Sequence, residues 1–304
     1  MAAQRQKHIP VMLKEVLQYL QPKAGDIYVD ATFGNGGYTQ AILEAAPCKV
    51  IALDRDPNVK VRANEFKNLY ADRFEFRAGK FGDFTDLVPE KIGGAVFDIG
   101  VSSMQLDNAE RGFSFAKEAP LDMRMSCDGE SAKDIVNFYG EKELADILYQ
   151  YGEERKSRQI AAKIIEYRRR KKIETTTELA EIIYTILHKH AGDIDPATRT
   201  FQALRIAVND ELGELERGLK GATERLISGG RLVVVDFHSL EDRIVKNYMK
   251  ANSAKKVRIS KYAPELAQDD SVFSEVSKAI APTPAECFEN PRARSAKLRY
   301  AIRR

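Results

Sequence analysis

The sequence predicts an α/β fold in which a parallel β-sheet is interrupted by a long helical insertion. Short apolar runs rich in β-branched residues recur about every 20–25 residues in the first third of the chain and alternate with helix-like segments. This rhythm is typical of βαβ units, which build parallel sheets. It stops near residue 105, and only helical patterns follow until about residue 200.

The elements of the first part can be placed in order. Amphipathic helices are predicted over residues 11–20 and 38–46. Pro57 suits the first turn of a third helix, because the N–H that proline lacks would have no partner there in any case. Buried strands are predicted at 26–31, 49–56, 73–79 and 93–100.

The insertion carries helix signals of its own. Ser131 and Asp134 have the spacing of a capping box, and Gly152 marks the end of a helix. Two more amphipathic helices are predicted over 158–172 and 178–190.

The α/β pattern resumes near residue 203. One long helix is predicted over 202–227, followed by a fifth buried strand over 231–239. A last strand over 296–303 could pair with residues 272–280. The predicted domains are a sheet domain over 1–105 and 203–304 and an inserted helical domain over 106–202.

The composition is typical of a soluble globular protein, with 43% hydrophobic and 31% charged residues. No apolar run approaches the ~20 residues needed to span a membrane, and the N-terminus lacks the apolar core of a signal peptide. A cytoplasmic location without membrane contact is expected. The three cysteines lie far apart, and His188 and His190 point to different helix faces, so no metal site is expected.

The distribution of charge says more about partners than the net charge of +3. Residues 167–172 and 290–304 are strongly basic. Such runs are either solvated surface or contacts for nucleic-acid phosphates.

A glycine-rich turn follows the first predicted strand and precedes a helix. Gly34 and Gly36 match the G-x-G-x-x-G dinucleotide fingerprint, but the third glycine is replaced by Thr39. A phosphate-binding loop would also need a lysine that is missing here. The turn therefore differs from both common nucleotide motifs.

The pattern D-x-x-x-G-x-G-G favours S-adenosylmethionine (SAM) over NAD. Asp30 is placed to meet the ammonium of SAM or to order the turn, while the N–H groups of Gly36 and Gly37 can meet its carboxylate. Asp54 ends the second strand, where an acid can accept both ribose hydroxyls. A purely structural glycine turn, with Asp54 as a cap, remains the alternative.

Longer stretches closely resemble the bacterial ribosomal RNA small subunit methyltransferase H family. They span nearly the whole chain in order and include "HIPVMLKEVL", "DATFGNGGYT", "DIGVSSMQLD", "RGFSF", "PLDMRM", "TRTFQALRIAVNDEL", "DFHSLEDRIVK" and "NPRARSAKLR". The resemblance implies SAM-dependent N4-methylation of a cytidine in the decoding region of 16S rRNA, at the P site. It also implies a Rossmann-like SAM-dependent methyltransferase sheet with an inserted helical substrate-recognition domain.

The resemblance also implies a set of cofactor contacts. They fall on Gly36, Gly37, Tyr38, Asp54, Phe81, Asp98 and Gln105. Phe81 would lie near the adenine, with core packing as its alternative role. The family usually has histidine in place of Tyr38 and proline in place of Met104, and the second difference could alter the loop that shapes the base pocket.

The loop after the fourth strand is the predicted place of the chemistry. The amine of cytosine is a poor nucleophile, and an acceptor for its N–H hydrogen bonds would help it to attack. Asp98 is the best candidate, with Ser102 and Ser103 secondary, although Asp98 could serve only the cofactor. DNA amino-methyltransferases carry a D/N/S-P-P-Y loop here, whereas "DIGVSS" has neither proline nor aromatic residue.

The substrate base must leave its stack to be methylated. Candidate substrate-binding residues are Arg111, Phe113, Phe115, Arg124, His238, Arg292 and Arg294. Each has a structural alternative. The phenylalanines could be buried in the insertion, and Arg111 and Arg124 could pair with Asp122. The histidine could be structural, and the C-terminal cations, which include Lys297 and Arg299, could pack on the sheet.

The expected partner is 16S rRNA or the small ribosomal subunit, and the oligomeric state is left open, with a homodimer as one option. A non-catalytic RNA-binding assembly factor is the main alternative function. The intact acids at 30, 54 and 98 argue against it. A DNA amino-methyltransferase is disfavoured by the missing proline–aromatic loop.

Overall fold

A computed structural model describes residues 10–188, 194–253 and 271–304, so His190 lies outside the described residues. The chain forms two compact units. One is built from Met1–Gly100 and Leu212–Arg304, and the other from Val101–Glu211.

The first unit holds a mixed sheet of seven strands within the described residues. In chain order they are β1 (Ile27–Asp30), β2 (Lys49–Asp54), β3 (Phe74–Ala78), β4 (Ile92–Asp98), β5 (Leu226–Asp236), β6 (Phe273–Val276) and β7 (Lys297–Arg303). The order across the sheet is β3-β2-β1-β4-β5-β7-β6. The pairs from β3 to β5 are parallel, and the pairs of β7 with β5 and β6 are antiparallel. The predicted α/β class and the pairing of the last strand are therefore confirmed.

The α-helices of the described residues are numbered in chain order. They are α1 (Leu13–Leu20), α2 (Gly37–Ala45), α3 (Lys60–Tyr70), α4 (Phe84–Leu87), α5 (Ser103–Asp107), α6 (Ala132–Phe138), α7 (Glu141–Gly152), α8 (Ser157–Arg168), α9 (Thr176–Tyr184), α10 (Ala197–Asn209), α11 (Glu211–Arg225), α12 (Ser239–Ala251) and α13 (Pro284–Glu289).

The strand order reverses between β1 and β4. After β1 the chain moves outward through β2 and β3, and then returns to place β4 and β5 on the other side of β1. In open parallel sheets a ligand crevice forms at the carboxyl ends of the strands beside such a switch point. The topology therefore directs attention to the residues that follow β1, β2 and β4.

The sheet unit is stabilised by strands that are buried on both faces. All of β4 except its last residue is buried, as expected for a central parallel strand. Phe84, Phe97 and Leu219 belong to a core cluster that also contains Val234 of β5 and Met249 of α12. This packing fixes the strand ends from which the site is built.

The helical unit has its own core, which includes Ile135, Leu148, Ile160 and Leu204. The capping box of Ser131 and Asp134 is confirmed at the start of α6. In the part of this unit that the structure describes, the only β-type contact is an isolated bridge between Pro120 and Thr175. The prediction of a strand-free insertion is confirmed for that part.

The prediction of one long helix over 202–227 is wrong. The helix breaks at Asp210, whose φ is 48°. Beside the break, the Asn209 side chain accepts from the N–H of Met125 at 2.8 Å and donates to the carbonyl of Met123 at 2.7 Å. These hydrogen bonds to backbone groups distant in sequence stabilise the turn that separates α10 from α11.

The boundary predicted for the fifth strand is also wrong. The "SGG" segment lies within β5, which begins at Leu226. The register with β4 shifts between Ile92 and Gly94, and Gly229 adopts a φ of 76°. A glycine in this left-handed conformation accommodates the irregularity at little steric cost.

Candidate functional site

Asp30 organises the turn between β1 and α2. Its side chain is fully buried. Oδ1 accepts from the N–H of Thr32 at 3.2 Å, and Oδ2 accepts from the N–H of Thr39 at 3.2 Å and from its hydroxyl at 2.7 Å. Burial raises the pKa of Asp30 to about 6, against the opposing effect of these hydrogen bonds. Of the two predicted roles for Asp30, the structure shows that it orders the turn, and contact with the ammonium of SAM stays a prediction.

The two glycines at the start of α2 are required by close packing. Gly36 has a φ of 79°, and a Cβ there would lie 2.5 Å from Cζ of Phe66. A Cβ on Gly37 would collide with Pro10. The N–H of Gly36 already donates to the carbonyl of Phe33 at 2.7 Å. The N–H of Gly37, at the first helical position, has no intrahelical acceptor.

Asp54 connects the end of β2 to the same turn. Its Oδ2 accepts from the N–H of Gly34 at 2.7 Å, and its Oδ1 accepts from the N–H of Asp56 at 2.8 Å. Burial raises the pKa of Asp54 to about 6. The carboxylate predicted to meet the ribose therefore also supports the backbone of the glycine turn.

Asp98 ends β4 and has a buried oxygen without a partner. Its N–H donates to the hydroxyl of Thr32 at 2.8 Å. Among the described residues its Oδ1 has no hydrogen-bond partner. Burial raises the pKa of Asp98 to about 8, and the charges of Asp30 and Glu241 add to the shift. An uncompensated buried acceptor is costly, so this oxygen is suited to a ligand.

Tyr38 stands where the resembling family usually has histidine. Its ring is buried and its hydroxyl donates to the carbonyl of Val11. Burial, followed by the charge of Asp98 as the next largest cause, raises the pKa of Tyr38 well above the ordinary value. The side chain therefore fixes the N-terminal segment, and a ligand would meet the backbone here.

Sequence reasoning missed Asp236 at the end of β5. It is fully buried, and in the described part of the chain neither carboxylate oxygen has a hydrogen-bond partner. Burial raises its pKa to about 8, and the charges of Asp242 and Glu241 add to this. The available signal was its position, because Asp30, Asp54 and Asp98 also end parallel strands.

His238 has a structural role as the N-cap of α12. Its Nδ1 accepts from the N–H of Glu241 at 3.5 Å, and its Nε2 lies 3.0 Å from the carboxylate of that residue. In return, the Glu241 carboxylate accepts from the His238 N–H at 3.2 Å. Contact of His238 with substrate stays a prediction.

Phe81 packs on the core while remaining partly exposed. Its ring meets Phe97 edge-on, with centroids 5.7 Å apart. A Cβ on Gly218 of α11 would lie 2.8 Å from Cδ2 of Phe81. The structure therefore shows the core packing of Phe81, and its place beside the adenine stays a prediction.

Glu214 of α11 is a second residue that sequence reasoning missed. It is fully buried and pairs with Arg55 at 2.8 Å, while Lys80 lies 3.8 Å away. Arg55 follows β2, and Lys80 precedes Phe81 after β3. One buried carboxylate therefore connects both loops to α11.

In the helical unit, Ser102 and Gln105 form a capping box at the start of α5. The Ser102 hydroxyl accepts from the backbone N–H of Gln105 at 3.2 Å, and the side-chain amide oxygen Oε1 of Gln105 accepts from the Ser102 N–H at 2.9 Å. The side chain of Ser103 lies outside the described part of the chain. Catalytic and cofactor roles for these three residues stay predictions.

The arginines of the "RGFSF" and "PLDMRM" segments have structural partners. Arg111 donates to the carbonyls of Arg124 and Met125 at 2.8 and 2.9 Å. Arg124 pairs with Asp122 at 2.7 Å. Of the two predicted partners of Arg124, phosphate and Asp122, the structure shows the carboxylate of Asp122.

The phenylalanines of this region pack inside the helical unit. Phe113 is 8% exposed and belongs to the core, and Phe115 meets Phe201 edge-on with centroids 4.9 Å apart. The structure therefore gives both rings a packing role, and base stacking by them stays a prediction.

The C-terminal cations divide into two groups. Lys297 and Arg299 of β7 pair with Asp242 of α12 at 3.0 and 2.7 Å, so they join the sheet to this helix. Arg292 and Arg294 are exposed before β7. The second pair keeps its predicted role toward RNA.

Two features are absent from the described ranges. No helix there is both long and apolar enough to cross a membrane. No cluster of three or more His, Cys, Asp or Glu side chains there could hold a metal ion.

Comparison with known proteins gives a consistent result over the whole length. The model of the MraW methylase family matches residues 5–304. A protein of Rickettsia akari named ribosomal RNA small subunit methyltransferase H is 55% identical, over 97% of this chain and 98% of that protein. A protein of the same name from Paramagnetospirillum magneticum is 53% identical, over 98% and 96% of the two chains.

Solved structures resemble the chain more remotely. A putative rRNA-methylase from Clostridium thermocellum has a TM-score of 0.45 and 11% identity, with 96% of this chain and 95% of that chain covered.

Proposed function

The chain belongs to the MraW methylase family, and we propose that it methylates the N4 amine of a cytidine in the decoding region of 16S rRNA, at the P site. The methyl donor is SAM, and the partner is 16S rRNA or the small ribosomal subunit. The names of relatives that are 53–55% identical over nearly the full length support the rRNA substrate. The choice of the N4 amine rests on the resemblance in sequence.

The residues at the strand ends fit SAM as the cofactor. Asp54 would accept from the ribose hydroxyls, the N–H of Gly37 would meet the carboxylate, and Phe81 would lie at the adenine. The observation that carries this assignment is the buried Oδ1 of Asp98, for which the described residues supply no hydrogen-bond donor. When bound, SAM supplies an electrophilic methyl group on its sulfonium.

Asp98 is the residue that we assign to accept the proton of the target amine. With a pKa of about 8 it is mainly protonated at neutral pH in the free protein. A positive charge placed beside it would lower that pKa and favour the carboxylate. The carboxylate can then accept a hydrogen bond from the target amine and take up the proton that the methylated nitrogen releases.

The helical unit formed by Val101–Glu211 is assigned to substrate recognition. Its Arg111 and Arg124 already have partners, so their predicted contact with RNA would require those partners to be exchanged. Arg292 and Arg294 of the sheet unit are exposed, and we assign them contact with phosphate.

Methyl transfer can be tested with labelled SAM and immature small subunits. We expect label in the RNA, recovered as N4-methylcytidine after digestion to nucleosides and mass spectrometry. Absence of transfer at every salt concentration would favour a non-catalytic RNA-binding assembly factor. Transfer to duplex DNA instead would favour a DNA amino-methyltransferase.

The cofactor site can be tested separately by calorimetry. Asp54→Ala should weaken SAM binding about 10- to 100-fold, since hydrogen bonds to charged groups are worth about 1.5–3 kcal/mol. Asp72→Ala, an exposed acid of the same unit, is the control. Unchanged affinity in Asp54→Ala would refute the ribose assignment.

A further inference from the structure

An exposed aromatic ring lies beside cations at the ends of two helices of the helical unit. Phe138, the last residue of α6, is 66% exposed. The Nζ atom of Lys172, just beyond α8, lies 5.4 Å from the centre of its ring. Arg169 is exposed in the same segment. We call Phe138, Arg169 and Lys172 the basic–aromatic patch.

Hydrogen bonds hold the two sides of the patch together. Arg168 donates to the carbonyl of Val136 at 2.8 Å. The Asn137 side chain donates to the carbonyl of Ile173 at 2.8 Å and accepts from its N–H at 3.0 Å. These bonds involve the two residues before Phe138 on one chain segment, and residues on either side of Lys172 on the other. The ring and the cations are therefore presented on ordered backbone, which lowers the entropic cost of binding a ligand.

The cations of the patch form no ion pair within the described residues, although the charge of Glu166 interacts with Arg169 beyond ion-pair distance. Lys171 pairs with Glu178, and Arg170 lies 3.8 Å from Glu166. For Arg169 and Lys172, by contrast, no carboxylate of the described residues lies within ion-pair distance. Lys172 thus lies beside the exposed ring, and Arg169 is a second exposed cation of the same chain segment.

We propose that the basic–aromatic patch binds a single-stranded segment of RNA. Phe138 stacks on a base, and Arg169 and Lys172 contact the flanking phosphates. Alternating stacking platforms and cations are how proteins hold single strands, because every base has a π-face and every nucleotide a charge. The inference rests on the proposed function, since RNA is the substrate class named there, and it adds a second contact region to that substrate.

The test measures binding of a fluorescent single-stranded RNA oligonucleotide and of a duplex RNA to the full chain. Phe138→Ala should weaken single-strand binding at least about fivefold, and Phe138→Tyr should restore it, because base stacking is worth about 1–3 kcal/mol. The effect on duplex RNA should be small, since its bases are already stacked. Arg169→Gln with Lys172→Gln should lower affinity and flatten its salt dependence.

Tyr149→Ala is the matched control, because Tyr149 is a 63% exposed aromatic residue of the same unit. Circular dichroism and SAM calorimetry verify that each variant is folded. The proposal is refuted if Phe138→Ala keeps the wild-type affinity for single-stranded RNA, or if Tyr149→Ala loses as much affinity. The patch would then be a contact for a protein partner or a solvated surface. If the wild-type protein does not bind SAM, the proposed function is refuted instead.

Discussion

Single aspartates at the strand ends have unequal surroundings although the sequence presents them alike. Asp30 and Asp54 accept hydrogen bonds from the glycine turn, whereas Asp98 and Asp236 keep oxygens without partners in the described residues. Desolvation disfavours the charged form of all four, and the pKa is raised furthest for the last two. Asp30 and Asp54 support the glycine turn, whereas Asp98 keeps an oxygen that can accept a hydrogen bond from a ligand.

Binding of SAM at pH 7 should release a proton from Asp98, because its pKa is about 8 in the free protein and the positive donor favours the carboxylate. Calorimetry in buffers of different ionisation enthalpy measures this release. Asp98→Asn should abolish it, whereas Asp72→Asn should leave it unchanged. A release that persists in Asp98→Asn would show that another group titrates.

Two residues recognised only in the structure, Glu214 and Phe138, lacked a local signal in the sequence. Asp54 could be predicted because an acid after a buried strand is visible in the sequence. The burial of Glu214 could not, since its partner Arg55 is distant along the chain. The exposure of Phe138 was equally hidden, because it depends on where α6 ends.

Among the elements, α11 supports both loops that would hold the adenosyl group. Glu214 pairs with Arg55 and approaches Lys80, and Gly218 leaves room for Phe81. A helix that carries no predicted ligand contact thus sets the positions of residues that do.

Glu214→Ala should raise the KM for SAM at least about tenfold with little change in kcat, because it removes the buried carboxylate that pairs with Arg55 and so misplaces the loops. Glu214→Gln should recover part of the affinity. Glu216→Ala changes an exposed acid of the same helix and is the control. A fall in kcat at unchanged KM would contradict this positioning role.

Element types were predicted more accurately than element boundaries. Strands such as β2 and β4 are continuous apolar runs, a signal contained within the element itself. The break between α10 and α11 depends on Asn209 and its bonds to the segment around Met123. Apolar periodicity continues across the break, so local pattern reasoning had no means to detect it.

For the whole molecule, four acids with raised pKa values make stability depend on pH. Between the unfolded value near 4 and folded values of about 6 to 8, the native state binds more protons than the unfolded chain. Stability of the free protein should therefore fall as pH rises from 5 to 8.5. Glu75, whose folded pKa is about 2, contributes a term that is already complete below this window.

Urea unfolding at a series of pH values measures this fall, which we expect to reach a few kcal/mol. Asp236→Asn should reduce the slope and raise stability at pH 8, because it removes a buried charge. A stability that rises with pH over this range would contradict the assignment.

The path of the chain through the sheet bears on how the protein is made. β4 and β5 are parallel neighbours, yet all of Val101–Glu211 lies between them in sequence. Because the chain is synthesised from its N-terminus, the edge of β4 that pairs with β5 has no partner strand until the whole helical unit has been synthesised. Independent early folding of that unit would shorten the distance to be closed and protect the waiting edge from misassembly.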